Sequence, residues 1–74
     1  MLEHKEIVKI VLNSSYSFNE IVERVDLSEI DIYNASNDIE NDFNETPKHV
    51  LDQLVYFYYM VKSNQNFNKE KGFN

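Results

Sequence analysis

Two helix starts only eleven residues apart constrain this chain more than any other feature. Ser17-Phe18-Asn19-Glu20 and Ser28-Glu29-Ile30-Asp31 each set a serine three residues ahead of an acid. In that spacing the hydroxyl accepts a first-turn amide while the carboxylate reaches back to the amide of the capping residue. The first helix of the pair must therefore be short, and the chain must turn within a few residues to begin the second. Glycine and proline occur once each, at Gly72 and Pro47, which suits helices joined by polar turns and argues against hairpins.

Apolar periodicity supplies the other helices. Ile7, Val8, Ile10, Val11 and Leu12 form one face opposite Glu3, Lys5, Glu6 and Lys9, so residues 2–12 read as a first helix. Phe18, Ile21, Val22 and Val25 face inward from a second helix at 18–25, and Ile32, Ala35, Ile39 and Phe43 from a third at 29–43. Between these two, Val25-Asp26-Leu27 reads as a tight turn, with Asp26 able to take a left-handed conformation. Thr46-Pro47 is a capping residue followed by proline at the first helical position, opening a fourth helix that continues to Lys62. The fold class expected is all-α: a small bundle of about four short helices in one domain over residues 1–62, followed by a flexible polar tail over 63–74. A chain of 74 residues holds one core and no more.

The apolar framework Ile21, Val22, Val25, Leu27, Ile32 and Ala35, with Asp26 at the turn and Ser28 opening the next helix, resembles a bacterial helix-turn-helix across residues 17–39. The resemblance implies a recognition helix starting at Ser28, with Ser28, Asn34 and Asn37 reading bases and Arg24 and Lys48 on phosphates. The charge pattern opposes that use. Residues 25–47 carry seven acidic side chains and no basic one, within a net charge of −6. Most of the affinity of a DNA reader comes from cations on phosphates, and this block would repel them.

The same block suits a basic protein as partner. The expected function is that of a small acidic regulatory protein, without enzymatic activity, that binds and modulates or inhibits a basic DNA-binding or nucleic-acid-processing protein in the manner of an anti-repressor or DNA mimic. Glu29, Asp31, Tyr33, Asp38 and Asp42 form the expected contact set, and reversing Asp31 and Asp38 to Lys is expected to abolish binding with the fold intact. The alternatives are a helix-turn-helix transcription regulator and an immunity or antitoxin protein. The fourth helix is apolar almost all round, with Val50, Leu54, Phe57 and Val61 on one stripe and Leu51, Val55 and Tyr58 on its neighbour. Tyr56, Tyr59 and Met60 are left over, and a homodimer through them is expected.

Reactive chemistry is sparse. Cysteine is absent, which removes thiol nucleophiles, thiolate zinc sites and disulfides. A single glycine excludes phosphate-cradling loops. His49 and Asp52 share a helix face but read as a solvated pair, and Asp38, Glu40, Asp42 and Asn44 alternate like the start of a calcium loop without its turn glycine or closing glutamate. No cofactor, metal, membrane or small-molecule substrate is expected. The longest apolar run, residues 54–61, is far shorter than the roughly 20 residues of a membrane span, and a cytoplasmic location is the expectation.

Overall fold

The computed structural model describes residues 2–63. Four α-helices follow one another: α1 His4–Leu12, α2 Phe18–Val22, α3 Glu29–Asn37 and α4 Lys48–Ser63, with a 3-10 turn, Ile39–Asn41, between the last two. The described residues contain no strand. Helix α1 packs along α4 as the principal pair, and α2 and α3 pack on each other beside it.

Both capping boxes are formed. The Glu20 amide donates to Ser17 Oγ at 3.1 Å and the Ser17 amide to Glu20 Oε1 at 2.9 Å; the Asp31 amide donates to Ser28 Oγ at 3.3 Å and the Ser28 amide to Asp31 Oδ2 at 3.0 Å. Each box is preceded by an apolar residue, Tyr16 or Leu27, and followed at the fourth helical position by Ile21 or Ile32. Those are the positions that a hydrophobic staple occupies, the pattern that sets the angle at which chain enters helix. All four belong to or pack against the core. Tyr16, in the α1–α2 connection, sets its ring edge-to-face on Phe57 with centroids 5.2 Å apart, a geometry that adds to the area term.

The core takes Ile7, Val8 and Val11 from α1, Ile21 from α2, Ile32 and Ala35 from α3, and Val50, Leu54, Val55, Phe57, Tyr58 and Val61 from α4. Each is at a position the apolar spacing selected. Helix ends differ more. Helix α1 begins at His4 and α4 runs one residue past Lys62. Helix α2 stops at Val22, and six residues, 23–28, connect it to α3. Asp26 is not left-handed in that connection; its amide donates to Gln53 Oε1 at 3.0 Å and ties the turn to α4.

Helix α3 ends at Asn37, six residues short of the length its apolar spacing suggests. Ile39 and Phe43 still pack on the core, but through the 3-10 turn and two consecutive left-handed residues, Asp42 with φ 56° and Phe43 with φ 61°. Two left-handed non-glycine residues cost about 2–4 kcal/mol together, and burying the phenylalanine side chain gives back about 1.5–3 kcal/mol, with the hydrogen bonds that Glu45 and Thr46 donate to Asp38 adding to it. Phe43 is 3% exposed, so burial and these bonds together offset the strain at this corner. An unbroken helix would have carried the chain past the bundle without the reversal that returns α4 to α1. The polar segment after Ser63 expected as a tail lies outside the described residues. Among the described residues no helix is long and apolar enough to cross a membrane.

Candidate functional site

The outward surface of α3 is where exposed apolar groups meet the acidic block. Residues 29, 30, 33, 34 and 37 are all exposed and fall on one continuous arc of the helix, because 3.6 residues per turn bring i, i+1, i+4, i+5 and i+8 around to one side. Ile30 is 60% exposed and Tyr33 53%. Around this arc Glu29 and Asn37 flank Tyr33, Asn34 lies beyond Ile30, and Glu40 follows, exposed, in the 3-10 turn. Neither Glu29 nor Glu40 has an ion-pair partner among the described residues.

The five acidic and aromatic residues expected to make contact therefore separate into distinct roles. Glu29 and Tyr33 stand together on the arc. Asp31 is half-buried and engaged in the α3 capping box, where donation from the Ser28 amide and then from its hydroxyl holds the carboxyl below its ordinary range. Asp42 is exposed but reaches across to α1, with Lys5 Nζ at 3.2 Å and Lys9 Nζ at 3.9 Å. Exposed pairs of this kind contribute about 0–1 kcal/mol, so they leave the carboxylate exchangeable.

Asp38 is buried rather than presented on the arc. It caps the C-terminus of α3, is 7% exposed, and accepts the Thr46 hydroxyl at 2.7 Å and the Glu45 amide at 2.8 Å. The Thr46 hydroxyl, at the residue expected to cap α4, donates its proton to this carboxylate. Its donation is the largest influence holding the Asp38 carboxyl below the usual carboxylate range, with the Glu45 amide adding to it and burial opposing. The Asp38 carbonyl accepts the amides of Asn41 and Phe43 as well. Asp38 thus organises the corner between α3 and α4, and a lysine there could not leave the fold intact. A signal for this was present in the sequence: a carboxylate at a helix C-terminus faces the negative end of the dipole and needs donors from elsewhere.

Beside the arc, a hollow of about 480 Å³ runs between α3 and the start of α4, with Ala35 and Val50 in its floor and Asp31, Asn34, Asn37, Asn41 and Glu45 around it. No basic side chain lines it. Spacing along α3 did not reveal this hollow, because Asn41 and Glu45 reach it only through the left-handed corner.

The groups that would serve a DNA reader are arranged otherwise. Ser28 Oγ is occupied by the Asp31 amide. Arg24 donates to the Glu20 carbonyl at 2.9 Å and lies 3.8 Å from Glu23 Oε2. Lys48 Nζ is 2.9 Å from Asp52 Oδ2, one helical turn along α4. Asn34 and Asn37 are open on the face of α3, and the Lys48 pair, like those of Asp42, is an exposed and exchangeable one. Tyr56 and Tyr59 are exposed on α4 and Met60 is half-buried beside them. Among the described residues no group of three or more His, Asp or Glu side chains is placed to hold a metal ion.

No family model, curated protein or solved structure matches the chain.

Proposed function

We propose that this protein works by binding, and that the outward arc of α3 docks onto a basic protein, of the kind that binds or processes nucleic acid, to modulate or inhibit it. The observation that carries this reading is the pairing of two exposed apolar side chains, Ile30 and Tyr33, with a run of 23 residues, 25–47, that holds seven carboxylates and no cation. Apolar anchors supply affinity and surrounding charge supplies orientation and rate. Covering the exposed parts of Ile30 and Tyr33 is worth roughly 1–2 kcal/mol each, and the surrounding negative field speeds encounter with a cationic surface. Glu29, Ile30, Tyr33, Asn37 and Glu40 form the contact set, with Asp42 available once it exchanges Lys5 and Lys9 for a partner's cation.

The test compares capture of a binding protein from nuclease-treated lysate by the tagged wild type and by Glu29→Lys and Tyr33→Ala. The reading expects a basic protein at stoichiometric yield with the wild type and its loss with both variants. A basic protein retained equally by all three, or a yield that depends on intact nucleic acid, would overturn it.

A further inference from the structure

A second surface lies on α4, away from the acidic block. Tyr56 and Tyr59 are 56% and 53% exposed, and with Met60, Lys62 and Ser63 they surround an open hollow of about 530 Å³. Four of these, Tyr56, Tyr59, Met60 and Ser63, stand at i, i+3, i+4 and i+7. That is the set of four residues that forms a hole for a knob from a facing helix in coiled-coil packing. The same stripe continues toward the start of the helix through Asp52 and His49, so that residues 49, 52, 56, 59 and 63 alternate in steps of three and four. A helix already packed on α1 through Leu54, Phe57 and Val61 thus carries a second packing seam on its outer side.

We propose that this seam pairs with the same seam of a second copy, α4 against α4 in antiparallel orientation about a two-fold axis, with a tyrosine of each copy entering the hole of the other. An isologous contact requires a patch complementary to itself, and this one offers both the knob and the hole. Charge selects the occupant. Each chain carries −6 and two copies repel through most of their surface, whereas the seam holds one carboxylate, Asp52, already 2.9 Å from Lys48, with Lys62 at its other end. Pairing centred near Phe57 sets Asp52 of each copy across from Lys62 of the other. A half-exposed tyrosine offers roughly 100 Å², so the seam buries less than the ~1,200 Å² of a stable interface. The dimer is weak and forms at high protein concentration.

Sedimentation equilibrium of the full chain tests this, from about 10 µM to about 1 mM and at about 50 mM and 500 mM salt. The weight-average mass is expected to rise from 8.8 kDa toward twice that value with concentration, and to rise further with salt as repulsion between like-charged copies is screened. Tyr56→Glu and Tyr59→Glu, both at exposed positions, should keep the helical circular dichroism and weaken association at least tenfold. A monomer mass throughout overturns the proposal and leaves the seam to be covered from within the chain or not at all. Association that survives both variants overturns it also, because another surface would then be in use.

Discussion

The Thr46 hydroxyl donates to the Asp38 carboxylate at 2.7 Å across eight positions of sequence, bridging the end of α3 and the start of α4. That bond, with the Glu45 amide on the same oxygen, ties together the corner between α3 and α4, after which α4 packs along α1. Asp38→Asn retains an acceptor and is expected to lower Tm modestly, and Asp38→Ala to lower it more. Asp38→Lys should leave the chain unfolded, and circular dichroism on the three variants gives the order directly. Thr46→Val should repeat the Asp38→Ala loss, and the double variant should fall short of the sum, as expected for two partners in one bond.

Acid should weaken the fold through two carboxylates. Asp31 and Asp38 are both held below the ordinary range by hydrogen bonds from Ser28, and from Thr46 and Glu45. A depressed folded pKa means that the unfolded chain takes up the proton first as pH falls, so the stabilisation is complete above the unfolded value and is lost as pH drops through the folded one. Urea unfolding should therefore show little loss from this source at neutral pH and a steep decline below about pH 4. In Asp38→Asn the acid decline should be shallower.

The two caps should be separable from the core in size. Ser28→Ala and Ser17→Ala each remove the acceptor of a capping box and should cost about 1 kcal/mol apiece. Phe57→Ala, at a ring that is fully buried against Tyr16, should cost about 3–5 kcal/mol. A domain of this length has on the order of 4–11 kcal/mol in all, so Phe57→Ala should be largely unfolded near 37 °C while both serine variants remain folded. Thermal melts with two-state fits distinguish these outcomes.

Much of the fold was legible because burial follows local periodicity. Every fully buried residue of α1, α3 and α4 sits at a spacing the apolar pattern selected, and both capping boxes were visible as Ser-x-x-acid. Tyr16 was not, because a lone aromatic before a cap looks like loop until its packing on Phe57 is seen. The break at Asn37 was not legible either: Ile39 and Phe43 keep helical spacing, and only the cost of a carboxylate at a helix end hints that Asp38 stops the helix. That break decides the candidate site as well. Glu29 and Tyr33 needed only the helix to be placed together, whereas removing Asp38 from the surface, turning Asp42 toward α1 and opening the hollow beside Asn34 and Asn37 all depend on the left-handed corner at Asp42 and Phe43.

Surface substitutions on the α3 arc should spare stability and change binding. Tyr33→Ala and Ile30→Ala should move the unfolding free energy by less than about 0.5 kcal/mol, while Tyr33→Ala weakens the partner complex about 30-fold, equivalent to ~2 kcal/mol. Glu29→Lys should act mainly on the association rate and flatten its dependence on salt. Stopped-flow association at several ionic strengths separates the two effects.

The central claim, that the α3 arc receives a basic protein surface rather than DNA, is tested most directly by amide chemical-shift mapping on labelled protein, titrated first with an arginine-rich amphipathic helical peptide and then with mixed-sequence duplex DNA. The peptide is expected to shift residues 29–37 and Glu40 above all others, Tyr33→Ala to suppress those shifts, and DNA to leave the spectrum unchanged. Shifts of the same residues with DNA, or peptide shifts spread evenly over every acidic residue and unaffected by Tyr33→Ala, would contradict that claim.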